Sequence, residues 1–106
     1  MKPIRIQRKR TKGWKMPENT VSVTRPGKWG NPLKADPKFM PNTVVKIFRE
    51  CMMDLTNCDK YGLPVDKFRY MRDRIFDLRG KNLACFCPIG SPCHADVLIE
   101  LSNPYN

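Results

Sequence analysis

The chain has 106 residues, of which 41% are hydrophobic, 20 are Lys or Arg and 10 are Asp or Glu. This length provides one compact domain with a modest core and excludes two conventional domains. No run of about 18 apolar residues exists, and the basic N-terminus lacks the apolar stretch of a secretory signal, so we expect no membrane span and no export. We therefore expect a cytoplasmic protein with reduced thiols, because five cysteines fit poorly with a complete disulfide framework.

The net charge of +10 comes from the first third of the chain. Residues 1–34 contain ten Lys or Arg against Glu18 alone, whereas residues 35–106 contain ten basic and nine acidic residues. A surface that faces a polyanion would therefore be formed by the first third. Because Trp14 and Trp29 stand among these charges, the pattern favours contact with a nucleotide, a nucleic acid or another phosphorylated molecule over a solvated basic tail.

Two short stretches near the N-terminus predict strands. Ile4 and Ile6 alternate with polar residues, which indicates a half-buried strand. Val21 and Val23 repeat this two-residue period and predict a second strand. That strand stops at Arg25, where the sequence RPG is typical of a turn.

Residues after Pro41 predict two helices. The first carries one apolar stripe at helical spacing, formed by Val44, Ile47, Phe48, Cys51, Met52 and Leu55. This stripe places Cys51 in the core, whereas we expect Cys58, in the connection that follows, to be exposed. Asp66 is suited to begin a second helix, and Gly80 is suited to end it.

The sequence NLACFC, at residues 82–87, predicts a third strand, and a third helix is predicted from about 93 to 102. The order strand, strand, helix, helix, strand, helix predicts an α/β fold. We expect one small domain over residues 1–106, with a short, mostly parallel sheet flanked by about three helices. Residues 1–20 form its basic N-terminal strand and loop.

The predicted topology has a consequence for function. If the strand at 21–25 pairs with the strand at 82–87, directly or through a neighbour, the helices between them form a crossover, and crossovers join parallel strands. The carboxyl ends of both strands then share one edge of the sheet, which is where open α/β sheets bind ligands. The sequences RPGKWGNP and CPIGSPCH would meet at that edge.

Residues 83–98, LACFCPIGSPCHADVL, contain three of the five cysteines and the only histidine. Cys85 and Cys87 point to the same side of a strand, and the Pro- and Gly-rich turn brings Cys93 and His94 to the start of a helix. Thiolates and imidazole are the ligands that Zn²⁺ prefers. The pattern therefore predicts a zinc site formed by Cys85, Cys87, Cys93 and His94, in which the metal clamps strand to helix.

Two other interpretations of this cluster stay open, because the spacing C-x-C-x5-C-H differs from the common paired CxxC. Cys93 is placed to be a thiolate activated by a helix N-terminus and His94, which suits nucleophilic catalysis or redox sensing. Alternatively, the cysteines are small buried residues. Asp96 is a candidate to orient His94 or to act as a general base, although a carboxylate near a helix N-terminus is also favourable by itself.

The sequence TRPGKWGNP offers a binding loop. Arg25 and Lys28 are suited to phosphate, Trp29 to stacking on a ring, and the amide of Asn31 to reading a base or sugar edge. The alternative is that Trp29 packs onto the core while the following residues form a turn. A second basic and aromatic cluster, RIQRKRTKGW, sets Arg8, Lys9, Arg10 and Lys12 before Trp14.

The two ends of the chain resemble the small bacterial and phage proteins grouped as domain of unknown function 4326. The resemblance rests on RIQRKRTKGWKMPENTVSVTRPGKWGNP and on LRGKNLACFCPIGSPCHADVLIEL, and above all on KWGNP combined with CHADVL. It implies that the functional residues are among Arg5, Arg8, Trp14, Arg25, Trp29, Gly30, Asn31, Gly80, Cys85, Cys87, Cys93, His94 and Asp96. Phe86 stands where the family often has Trp, which would keep an aromatic ring on the buried face.

These observations predict a small basic protein that binds a nucleotide or nucleic acid and holds a structural zinc ion. The residues expected to bind the ligand are Arg5, Arg8, Arg10, Trp14, Arg25, Lys28, Trp29 and Asn31. One rival is an enzyme acting on a nucleotide or modified base, with a metal-bound water or Cys93 as nucleophile and His94 or Asp96 moving protons. Another rival is a phage-type inhibitor whose basic face docks on an acidic partner.

Overall fold

A three-stranded sheet organises the part of the chain that the computed structural model describes, which comprises residues 3–25, 27–33 and 41–104. Its strands are β1 (Arg5–Gln7), β2 (Thr20–Ser22) and β3 (Asn82–Cys85). The strand order is β1-β3-β2, and both outer strands pair with β3 in parallel. The predicted α/β class with a parallel sheet is therefore confirmed.

The sheet is accompanied by four α-helices within the described residues: α1 (Pro41–Met53), α2 (Asn57–Tyr61), α3 (Val65–Asp73) and α4 (His94–Ser102). A 3-10 helix over Ile75–Leu78 follows α3, so the helix expected to run on to Gly80 is broken. Gly80 has a φ of +77°, a left-handed conformation that favours glycine. None of these described helices has the length and apolar character needed to cross a bilayer.

The core lies where α4 packs against β3 and β1, with α1 on its other side. Phe48 on α1 and Phe68 on α3 are both fully buried, with ring centroids 5.6 Å apart. Cys51 is buried as predicted. The expectation for Cys58 was wrong: it lies on the short helix α2 and is fully buried, because that helix turns its one cysteine toward Cys51 in the core.

The register brings all three strand ends to one edge. Gln7 is aligned with Cys85 and Ser22 with Ala84. Backbone hydrogen bonds continue one residue beyond each outer strand, since Arg8 N donates to Cys85 O at 2.6 Å and Val23 N donates to Ala84 O at 2.9 Å. The segments that follow the three strands therefore leave the sheet side by side, as the crossover argument requires.

Two phenylalanines provide a matched test of this core. Phe68 is fully buried and Phe76 is 61% exposed. We expect Phe68→Ala to lower the free energy of unfolding by about 3–5 kcal/mol, because it removes buried apolar contacts and leaves a cavity. Phe76→Ala should change it by no more than about 0.5 kcal/mol. Urea unfolding followed by circular dichroism measures both, and equal losses would contradict this description of the core.

Candidate metal centre and strand-edge cleft

Three cysteine sulfurs converge at the carboxyl edge of the sheet. Cys85 is the last residue of β3, Cys87 lies in the turn that follows, and Cys93 is the N-cap of α4. Their sulfur atoms all lie within 4.8 Å of one another, and those of Cys85 and Cys93 are 3.3 Å apart. The prediction that these three thiols converge is therefore confirmed, and the group is able to hold a metal ion. The expectation that Cys87 lies on the strand beside Cys85 was wrong, because β3 ends at Cys85.

Two thiols of this cluster, Cys85 and Cys93, are hydrogen-bonded to each other. The Cys93 thiol donates a hydrogen bond to Cys85, which together with burial raises the pKa of Cys93 to about 11. The same hydrogen bond lowers the pKa of Cys85, and burial raises that of Cys87. A nucleophilic Cys93 would need a lowered pKa, so this environment does not favour the activated-thiol interpretation.

His94 is held by two backbone carbonyls. Its Nε2 atom lies 3.0 Å from Val23 O and 3.0 Å from Trp29 O, and its ring packs edge-on against Phe48 with centroids 5.2 Å apart. Carbonyl oxygens only accept, so Nε2 is the ring nitrogen that donates a proton to them, and Nδ1 faces the sulfur of Cys93. Nδ1 lies 3.7 Å from the Cys93 sulfur. The group of side chains whose ligand atoms all lie within 4.8 Å of one another contains the three cysteines and does not include His94.

Arg5 and Asp96 form a structural clamp beside the cluster. Arg5 donates to Asp96 Oδ2 and to Pro88 O, each at 2.9 Å, and its side chain is only 7% exposed. These bonds tie β1 to α4 and to the turn that carries Cys87. Asp96 is therefore committed to Arg5, and no hydrogen bond between Asp96 and His94 is found among the described residues.

A cleft of about 480 Å³ opens over the cysteines. Its lining includes Cys85, Cys87, Cys93 and His94 from one side and Arg10, Arg25, Asn31 and Phe86 from the other. The loop that follows β2 and the cysteine segment thus share one rim of the sheet, as the predicted topology implies. Ligands of α/β proteins bind in such a place.

Phe86 lies at the rim of this cleft beneath two arginines. The guanidinium carbons of Arg8 and Arg10 lie 4.8 and 4.2 Å from the centre of its ring. Phe86 is 36% exposed, so the expectation that it lies on the buried face was wrong. Because β3 ends at Cys85, the alternation of buried and exposed side chains along the strand does not extend to Phe86. Arg8 also donates to Ser22 and Thr24 through Nη1, while its buried Nε has no hydrogen-bond partner within the described part of the chain.

In the loop that follows β2, some side chains are buried and others are exposed to solvent. Trp29 is 4% exposed and belongs to the core, so of the two roles considered for it the structure has the packing one. Asn31 is also buried, and its Oδ1 accepts a hydrogen bond from Leu33 N at 2.9 Å. Arg25 and Lys28 remain exposed, and Trp14 is half-buried in the loop between β1 and β2.

A second cleft, of about 770 Å³, adjoins the first. It lies between the loop that follows β2 and helix α3, where it is lined by Arg25, Lys28, Asn31, Asp66, Lys67 and Tyr70. Lys67 and Tyr70 were not singled out from the sequence, because on α3 they look like ordinary exposed helix residues. Only the position of α3 against the loop makes them part of a cleft.

A parallel three-stranded sheet with a thiol cluster at its carboxyl edge defines a small α/β protein with a candidate metal centre. The chain belongs to the family described as domain of unknown function DUF4326, whose model matches residues 6–104. The family expected from the sequence is therefore confirmed over nearly the whole chain. No curated protein and no solved structure matches the chain.

The buried arginine clamp is testable against an exposed ion pair of the same type. We expect Arg5→Met to lower the free energy of unfolding by about 1–3 kcal/mol, because Asp96 and the Pro88 carbonyl lose charge-assisted hydrogen bonds. Arg69→Met removes the exposed bond to Asp66 and should cost less than about 0.5 kcal/mol. Urea titration measures the free energy of unfolding of both variants. An Arg5→Met protein as stable as the wild type would show that the clamp is not structural.

Proposed function

We propose that the protein binds one zinc ion through Cys85, Cys87, Cys93 and His94, and that it binds a nucleotide or nucleic acid in the cleft above this site. The observation that carries the proposal is the convergence of three cysteine sulfurs on the floor of a cleft whose rim bears Arg10 and Arg25.

Zinc is the metal that this ligand set fits. Thiolates and imidazole bind Zn²⁺ in tetrahedral sites, with bonds of about 2.3 Å to sulfur and 2.0–2.1 Å to nitrogen. Those lengths separate a sulfur and a nitrogen on one ion by about 3.6 Å, close to the 3.7 Å between Cys93 Sγ and His94 Nδ1. The Nε2–H of His94 points at backbone carbonyls, which is the usual anchoring of a metal-bound histidine.

Such a metal would join three segments that are separate in the secondary structure. Cys85 ends β3, Cys93 begins α4, and His94 contacts the backbone of Val23 and Trp29. An ion bound to these side chains links strand, helix and loop at once, and its binding free energy then contributes to folding. This supports a structural role for the metal.

The zinc site is testable by comparing cysteines within and outside the cluster. We expect the wild-type protein to bind one zinc per chain, and Cys87→Ala to abolish tight binding because a thiolate ligand is lost. Cys58→Ala, which changes a cysteine of the core, should retain full stoichiometry. His94→Ala should weaken binding without removing the three thiolates.

Cobalt substitution followed by absorption spectroscopy measures these affinities, since cobalt replaces zinc in thiolate sites and is coloured. A wild-type protein without thiolate-to-cobalt bands would contradict the zinc proposal. Equal affinities of Cys87→Ala and the wild type would contradict it as well.

The ligand part of the proposal rests on the charge and aromatic surface of the rim. Arg10 is exposed and stacks on Phe86, and Arg25 lines the same cleft. Guanidinium groups bind phosphate oxygens, and an exposed ring with arginines beside it is a typical surface for stacking a base. The excess of basic residues in the first third of the chain attracts a polyanion to this face.

Binding to this rim is testable with a fluorescently labelled oligo(dT) of about ten nucleotides, within the range of known single-strand sites. We expect measurable affinity that falls as salt rises from 50 to 200 mM, roughly as the release of counterions requires. Phe86→Leu and Arg10→Gln should both weaken binding. Arg79→Gln should not, because Arg79 precedes β3 and so lies toward the opposite edge of the sheet. Fluorescence anisotropy measures these affinities, and equal binding by Arg10→Gln and Arg79→Gln would contradict the proposal.

A further inference from the structure

The two clefts share part of their lining. Both include Arg25 and Asn31, which places the exposed Arg25 at the junction between them. Arg25 is fixed at this junction: its Nη1 donates to the carbonyls of Asn31 at 3.1 Å and of Leu33 at 3.4 Å. Gly30 packs directly against it, since a Cβ at Gly30 would lie 2.9 Å from both Cα and Cγ of Arg25.

The second cleft has the charge needed to bind further phosphates. Among the described residues of its lining, Arg25, Lys28 and Lys67 contribute three cations, and Asp66 contributes the one carboxylate. That carboxylate accepts a hydrogen bond from Arg69 at 2.9 Å, which offsets its charge. The net field in the second cleft therefore favours an anionic ligand.

Each cleft also has an exposed aromatic ring with a guanidinium on it. Tyr70 in the second cleft is 36% exposed, and the guanidinium carbon of Arg74 lies 3.9 Å from the centre of its ring. Phe86 in the first cleft has the same exposure and carries Arg8 and Arg10. The two clefts thus offer two stacking surfaces with a fixed arginine at their junction, and these groups suit the bases and the phosphates of a nucleic acid strand.

From this arrangement we infer that the ligand is single-stranded nucleic acid that spans both clefts, with bases on Phe86 and Tyr70 and a phosphate at Arg25 between them. This inference rests on the proposed function and names its ligand class. A mononucleotide occupies only one of the two stacking surfaces. In a duplex the bases are stacked on one another, so their faces are not available to either ring.

Variants of the second cleft test this inference separately from the first. We expect Tyr70→Leu to weaken binding of the labelled oligo(dT) roughly five- to hundredfold through lost base stacking. Phe76→Leu, an exposed aromatic outside both clefts, should have no effect. Lys67→Gln should make the negative slope of log affinity against log salt shallower by about 0.7, because one phosphate contact is lost. Lys60→Gln should leave this slope unchanged.

Competing ligands complete the experiment. Oligo(dT) and oligo(U) of the same length should both displace the probe, and their relative affinity tells whether DNA or RNA is preferred. A duplex of that length should displace the probe far less well, and so should thymidine monophosphate. If Phe86→Leu weakens binding but Tyr70→Leu and Lys67→Gln bind as the wild type does, the inference fails while the proposed function stands. Equal displacement by the duplex or by the mononucleotide also overturns it. If neither oligonucleotide nor mononucleotide binds the wild type, the inference and the ligand part of the proposed function both fail.

Discussion

The position of β3 between two parallel neighbours is the constraint on which the rest of the structure depends. Parallel pairing on both sides places the carboxyl ends of all three strands at one edge, where Arg8, Val23 and Phe86 leave the sheet together. The loop that follows β2 and the cysteine segment line the same cleft for this reason. A chain with an antiparallel β2 would carry the same residues and would send its basic loop to the opposite edge.

His94 connects this edge to the loop that follows β2. Its Nε2–H is shared by the carbonyls of Val23 and Trp29, while Nδ1 faces the sulfur of Cys93. With the Trp29 ring buried in the core, the loop is fixed by its side chain on one side and by the histidine on the other. The same loop holds Arg25 at the junction of the two clefts, so the thiol cluster and the basic rim form one structural unit.

The sequence was sufficient for the fold class and for the grouping of the three thiols, because strand periodicity and the Pro- and Gly-rich turn between Cys87 and Cys93 are local patterns. It was insufficient where tertiary contacts decide. Cys58 is buried because α2 faces the core, and Asp96 is taken by Arg5, which is 91 positions away in the chain. Phe86 is exposed because β3 ends one residue earlier, and Tyr70 matters only because α3 lies beside the loop. None of these arrangements leaves a periodic signal in the chain.

The central claim is that a zinc ion is held at the sheet edge by three thiolates and one imidazole. X-ray absorption at the zinc edge of the reconstituted protein tests it most directly, since it reports the number and type of ligand atoms. The account predicts three sulfur atoms at about 2.3 Å and one nitrogen at about 2.0–2.1 Å. A zinc environment of oxygen and nitrogen alone, or a protein that retains no zinc, would contradict it.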